Sequence, residues 1–545
     1  MLDEQLKIGV VYTHKIDSCI MCVNKEILYG EIHCLEEMSL NGLIEKSKEF
    51  GKLNRFGSTN TTCEKLLERG YEKEVLLENA KSSYPIVHHK VLKLIEDFLE
   101  LKKRHGTPIE KNIYSDLKTS EFIDRLLSKR PLVFVGQRDT YILRDGKKEG
   151  VAFEDWHTLG SKNEKDPLVM ADYLTYDEGK VAALLCASTR TVNINKGDRK
   201  NSGVVQEDGN YEKEGVIVGL VGPRMNKSNA LESQEMRVNE EQNITENGYG
   251  EKGVVKHVLK LFANFYGIKH LPTFKELEAS YRKSRGEEYI TEKVWKVFSR
   301  KVKSDLHLDY EEISGLYNSC QFLHIPAYRQ RNRIAIETLL VEANYRASQL
   351  DKKAYVHVVG LGLGVWRIYN RQVEIFTREV VETAADMNLP DISDIDLSWV
   401  INEKECQPKT KSTHLSGSEV GCHDTKLLSG DTIPGTKTVL HISTRDPWEK
   451  LDQVVDKVVV ASWAWDGMSF VGNEYWAGSL ATSSDPAAAC CTQIPELLNP
   501  LVNPHYGGHS AMVVTDKGGL VPLTEYQEAR TNNKPGLNLS KLSSA

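Results

Sequence analysis

Residues 353–399 read KAYVHVVGLGLGVWRIYNRQVEIFTREVVETAADMNLPDISDIDLSW. The β-like run Tyr355–Val359 gives way to alternating glycines, then to a helical stretch near 371–387, then to a second strand-like run, Ile392 to Trp399. Just upstream, Ile336, Leu339, Leu340, Ala343, Ala347 and Leu350 fall on one helical stripe. Helix, buried strand, helix, buried strand is the signature of an α/β layered sheet.

The glycines Gly360, Gly362 and Gly364, with Leu363 and Val365 between and after them, follow the strand directly. Glycine lets a backbone approach a ligand closely and turn its N–H groups towards an anion, so the loop is a candidate phosphate cradle. A glycine-rich strand end packed tightly on a helix reads the same way. A dinucleotide-binding turn would need Gly-x-Gly-x-x-Gly spacing, and the spacing here is Gly-x-Gly-x-Gly.

About a hundred residues later, Ala461–Asn503 read ASWAWDGMSFVGNEYWAGSLATSSDPAAACCTQIPELLNPLVN. After the apolar run Val458–Val460, this stretch sets Asp466, Glu474 and Asp485 among Gly, Asn and Trp. Acids beside aromatics at a strand end can build a catalytic mouth in which burial and like charge separate carboxylate pKa values. Helix capping is the competing reading, since Asp485-Pro486 is a good helix start. Asn473 is a candidate ribose contact, and Trp476 is a candidate wall of the site. Arg224, after the strand-like GVIVGLV of 215–221, is a candidate phosphate partner.

The chain has 545 residues, 27% of them charged, and a net charge of −7, which argues against a nucleic-acid binder. No apolar run reaches the ~18–20 residues of a membrane helix. The acidic start MLDEQLKIGV does not resemble a secretory signal. Of ten cysteines, Cys19 and Cys22 form a lone Cys-x-x-Cys without a second pair, so no zinc site is expected. Free thiols in a reducing, cytoplasmic setting are the expectation.

Residues 1–125 read as mainly helical, with a short β-like start at Ile8–Tyr12. Residues 126–525 carry the α/β pattern, with a helical insertion near 252–330 and a Ser/Thr/Gly-rich flexible insertion at 402–436. Residues 526–545 read as a tail.

Taken in order, RPLVFVG, YLTYDEGKVAALL, VGLVGPR, HVVGLGLGVW, ISDIDLSWV and the 461–503 segment resemble the macrodomain and poly(ADP-ribose) glycohydrolase-like superfamily. The nearest resemblance is to the MavL-type branch of ADP-ribosyl-ubiquitin hydrolases, over roughly residues 120–515. It implies a three-layer α/β/α core that holds ADP-ribose on the Gly360–Val365 loop. Because the acid loop follows the diphosphate loop, it also implies a permuted order.

The resemblance further implies Asp466, Glu474 and Asp485 as the catalytic acids, with Glu474 at a position more often Asp. The implied activity is hydrolysis of arginine-linked mono-ADP-ribose from protein, with ubiquitin a candidate carrier. The alternative is a reader that binds ADP-ribose without cleaving it. No cofactor is required on this reading; Mg²⁺ bound by the three acids is conceivable but not indicated by their spacing.

Overall fold

The computed structural model describes residues 38–532 except 137, 147, 286–300, 304–308, 314–320, 401–418, 423–424, 452–455 and 483. The expected Ile8–Tyr12 strand, the Cys19–Cys22 pair, the first part of the 402–436 insertion and the end of the tail lie outside the described residues.

The fold is α/β, built on one nine-stranded mixed sheet. In chain order its strands are β1 (Tyr84–His88), β2 (Cys186–Val192), β3 (Glu214–Val221), β4 (Lys353–Val358), β5 (Ile392–Ser398), β6 (Val439–Ser443), β7 (Lys457–Trp465), β8 (Met512–Val514) and β9 (Leu520–Pro522). Their spatial order is β6-β5-β4-β7-β3-β2-β1-β8-β9. The run β6-β5-β4-β7-β3 is parallel throughout, whereas β2 is antiparallel to both neighbours.

Parallel strands with helices on both faces read as near-continuous apolar runs, because neither face meets water. On one face Val356, Val460, Ile395 and Leu440 pack in a core with Ile336, Leu339 and Leu340 of helix α1 (Ile325–Gln349) and Phe376 and Val380 of helix α2 (Arg371–Asp386). On the other, Val459, Ala461 and Trp463 join a second core that reaches Leu40, Phe50, Leu92 and Phe98 of the N-terminal helices.

That second core adds one strand to the otherwise helical residues 38–125. Residues 38–125 are not only helical: Tyr84–His88 is an inner strand of the main sheet, paired with β2 on one side and β8 on the other. The pattern was too short to show it, being bounded by helices on both sides. The 252–330 region is also mixed. After helices His257–Phe265 and Phe274–Arg285 come Asp309–Ile313 and Gln321–His324, two strands of a separate four-stranded sheet. Residue 526 falls inside the helix Leu523–Thr531, which is tied to the body by Arg530 on Glu96 at 2.6 Å. Within the 402–436 insertion, Glu419–Cys422 and Thr425–Leu428 form a hairpin. No helix of the described residues is long and apolar enough to cross a membrane.

Candidate active site

The chain visits β3, moves on to β4, and only later returns to insert β7 between them. Ligands of open α/β sheets bind outside the carboxyl ends of strands at such a switch point. Here Val221 ends opposite Trp465, while β4 ends at Val358, level with Ser462 of β7, and the loops after these strands carry the glycines, Arg224 and Asp466.

The glycine loop is anchored by what it buries and open where it does not. Leu361 and Leu363 are sunk in the core, whereas Val365 is 85% exposed and a Cβ on Gly364 would meet open space. Ser462 on β7 accepts the Val359 N–H at 3.0 Å and fixes where the loop begins. Gly362 has φ +68°, a conformation that L side chains rarely adopt, and a Cβ there would lie 2.7 Å from the Pro223 carbonyl. A Cβ on Gly222 would lie 2.1 Å from the Gly362 nitrogen. The loops after β3 and β4 therefore press together at a glycine–glycine contact. Among the described residues, none of the N–H groups from Gly360 to Trp366 donates to a protein acceptor. That leaves an uncommitted row of donors, the property an anion cradle requires.

Beside the loop is a narrow cleft whose lining includes Val221, Arg224, Glu232, Trp366, Asp466 and Gly467, with Phe134 and Met468. Arg224 is there, as expected, but it is already engaged. Its guanidinium donates to Asp139 at 2.5 Å and to the Gly136 carbonyl at 3.2 Å, and it lies 5.7 Å from the centre of the Trp366 ring. Asp139, fully buried and in the left-handed region at φ 54°, also accepts from Tyr176 at 2.8 Å and pairs with Lys227. Glu232 accepts from Arg331 at 2.9 Å and from the Arg224 N–H at 3.3 Å. Sequence reading missed Asp139, Tyr176, Glu232, Arg331 and Trp366. Most of these partners are tens of residues apart, and no local spacing announces them.

Of the three acids, two come together. Asp466 takes Met468 and Ser469 N–H groups on one oxygen at 2.7 and 2.8 Å, and the Ser469 hydroxyl and Asn473 amide on the other at 2.6 and 2.8 Å. Asp485, on helix Ser484–Cys491, accepts the Trp463 indole, the Gly472 N–H and the Asn473 N–H, all at 3.0 Å. Asn473 thus bridges the pair, with its amide on Asp466 and its backbone on Asp485. Glu474 is half-buried and its carboxylate accepts from the exposed Thr482 hydroxyl, outside this bridge. Trp476 is a core residue: its indole donates to the Val471 carbonyl at 2.6 Å, and its ring meets Phe50 and Phe56 at 5.4 and 5.3 Å.

Burial raises both carboxyls. For Asp466 the Ser469 and Met468 donors and the charge of Arg130 oppose the rise. Asp485 is pushed up to about 7 by burial and then by the charge of Asp466, against its three N–H donors. Like-charged acids in one dry site do not both ionise easily, so the pair can hold one proton near neutrality. Such a pair can supply a carboxylate and a proton together, with Asp466 the member that reaches the cleft. Among the described residues, no group of three or more His, Cys, Asp or Glu side chains is placed to hold a metal ion.

The chain matches the family model described as ADP-ribosylhydrolase MavL-like over residues 41–529. It is 32% identical over 463 residues to a Drosophila melanogaster protein named as an ADP-ribosylarginine hydrolase, covering 82% of this chain and 81% of that one. A second Drosophila melanogaster ADP-ribosylarginine hydrolase is 31% identical over 455 residues, covering 82% of each. The match takes in both the glycine loop and the acid loop, and the chain belongs to the MavL-like ADP-ribosylhydrolase family.

Proposed function

We propose that this protein hydrolyses the bond between ADP-ribose and a protein arginine, with ubiquitin a candidate carrier. The observation that carries the reading is the meeting, at the ends of β3, β7 and β4, of a glycine loop with uncommitted N–H groups and a cleft holding Arg224, Trp366 and Asp466. The diphosphate takes the free N–H groups between Gly360 and Trp366. The ribose lies towards Asp466. Family membership and the activity named for the two relatives support arginine as the acceptor. The arrangement of a phosphate loop at the end of a parallel strand, in a sheet covered on both faces, also supports macrodomain kinship, with the acid loop permuted behind the diphosphate loop.

When the anomeric C–N bond breaks, positive charge develops on the ribose, and a carboxylate beside it lowers the barrier. Asp466 fills that role, with Asn473 holding its second oxygen. Asp485 acts through Asn473 and Gly472 as a positioning residue, keeping the acid loop tight and holding the shared proton. Glu474, at the start of the same short turn, receives the guanidinium or a ribose hydroxyl. Water is the second substrate. This reading includes no cofactor: the hydrolysis takes only water beside the modified protein. The setting we propose is cytoplasmic, in keeping with buried thiols at Cys63, Cys186, Cys422, Cys490 and Cys491.

The test is release of free ADP-ribose from arginine-ADP-ribosylated ubiquitin and from free ADP-ribosylarginine, wild type beside Asp466→Asn. Release from both by wild type, lost in the variant, is expected. Tight ADP-ribose binding with no release from either would make the protein a reader of the modification. Release from the small substrate alone would remove ubiquitin as carrier.

A further inference from the structure

The acid loop is strapped in place by the segment 54–60. The Tyr475 hydroxyl donates to the Ser58 carbonyl at 2.7 Å, the Phe56 and Trp476 rings lie 5.3 Å apart, and a Cβ on Gly57 would sit 2.8 Å from the Tyr475 carbonyl. The outer side of this strap is a wall of an open groove of about 590 Å³, bounded by helix Leu40–Leu53 and helix Cys63–Glu68. The strap's contacts fall on Tyr475 and Trp476, two and three residues after Asn473, so the groove lies on the other side of the strap from the acid loop.

Its lining carries more cations than carboxylates, two of them unmatched among the described residues. The lining carries Lys48, Lys52, Arg55 and Lys65 against two carboxylates, Glu64 and Glu496. Glu496 is buried, and its oxygens are taken by the Ser47 hydroxyl and, at 2.7 Å, by the Cys63 N–H. Glu64 is matched by Lys48 at 2.6 Å, and Lys65 reaches Glu68 beyond the groove. Lys52 and Arg55 are exposed and, among the described residues, pair with no carboxylate. In a chain of net charge −7, a concentration of cations beside the acid loop is a local feature rather than a reflection of composition. Ser58, Thr59 and Asn60 add polar groups suited to a peptide backbone. The one aromatic of the lining, Phe56, is buried, so there is no stacking platform of the kind that single-stranded nucleic acids use.

Resting on the hydrolase reading above, we infer that this groove receives an acidic segment of the carrier protein next to the modified arginine. Rim charges of this kind act mainly on encounter and on the choice of partner, and salt screens them. The groove thus sets which modified proteins are good substrates, while the cleft performs the chemistry.

Two synthetic peptides carrying one ADP-ribosylated arginine, flanked by Asp/Glu in one and by Gly/Ser in the other, separate the possibilities. Wild type is expected to show a KM about tenfold lower for the acidic peptide, with equal kcat, and the preference should shrink in high salt. Lys52→Glu with Arg55→Glu should abolish the preference and leave turnover of free ADP-ribosylarginine unchanged. Lys269→Glu with Lys437→Glu, an equal change in net charge at exposed positions outside the groove, should keep the preference. No preference in wild type, or a preference that survives the groove variant, overturns the inference. An equal KM rise for free ADP-ribosylarginine overturns it too, since the groove would then act on the chemistry. Failure of wild type to cleave any of the three substrates would instead bring down the hydrolase reading, and this inference with it.

Discussion

Two pairs of buried acids lie on and beyond one sheet, two strands apart, and one member of each, Asp394 and Asp485, is driven in the opposite direction to the other. Asp394 and Asp396 lie on β5; Asp466 and Asp485 lie in and after the loop that follows β7. Asp394 faces Lys457 at 2.6 Å and His441 at 2.9 Å, and these contacts hold its carboxyl down at about 2 against the effect of burial. Asp396 is satisfied by the Tyr355 and Ser443 hydroxyls. Among the described residues, the pair after β7 has N–H and hydroxyl donors but no ion pair with a cation, and Asp485 rises to about 7. Burial with a counter-charge makes an anchor. Burial without one makes a group that can exchange a proton near neutral pH.

The contrast breaks first, if it breaks, on turnover. Asp466→Asn is expected to lower ADP-ribose release by roughly 10²–10⁴-fold, the range for removal of a catalytic carboxyl or charge-stabilising group. Asp394→Asn should leave turnover per folded molecule unchanged. Its cost appears in denaturant unfolding instead, as about 1–3 kcal/mol for leaving Lys457 short of a partner. Equal loss of turnover in the two variants would erase the distinction between them.

The pH dependence of stability sharpens it. Asp485 titrates near 7 when folded and near 3.8 when unfolded. Between those values the folded protein keeps a proton that the unfolded chain has released, so its contribution favours folding at low pH and is lost as pH rises towards 7. Asp394 has the opposite sign: lowered from 3.8 to about 2, it stabilises above pH 4, and that contribution disappears as pH falls towards 2. Melting temperature followed from pH 3 to 8 should therefore lose a downward slope between 4 and 7 in Asp485→Asn. In Asp394→Asn it should lose part of the fall below 4.

Smaller effects separate the glycines. Gly362→Ala meets both a left-handed φ and the Pro223 carbonyl, so it should cost about 1–3 kcal/mol of stability and weaken ADP-ribose binding measured by calorimetry. Gly364→Ala points into open space and should change stability little. The smallest expected effect is that of EDTA on turnover, which should be none. Loss of activity restored by Mg²⁺ would place a cation on acids that the structure fills with donors.

Much of this was legible in one dimension. The apolar runs at 215–221, 355–359, 392–399 and 458–460 read as buried strands because both faces of a covered parallel sheet exclude water. The helix stripe of Ile336 to Leu350 followed from its 3.6-residue period. The acid loop stood out through the density of Asp, Asn, Gly and Trp within one short stretch. Tyr84–His88 was not legible, since a five-residue inner strand between two helices carries no alternation to mark it. The coupling of Arg224 to Asp139 was not legible either, across 85 positions.

The amino-acid order alone determined the α/β class, the placing of glycines after one buried strand and the gathering of acids after another, because each is a local match between side-chain pattern and backbone geometry. Only the tertiary structure decided that β7 returns between β3 and β4, so that loops more than a hundred residues apart share one cleft. It also decided which acids meet. Asp466 and Asp485 meet through Asn473, while Glu474, close to both in sequence, faces Thr482. Proximity of charges depends on where the chain turns back on itself, and that is settled by long-range packing rather than by any local run of residues.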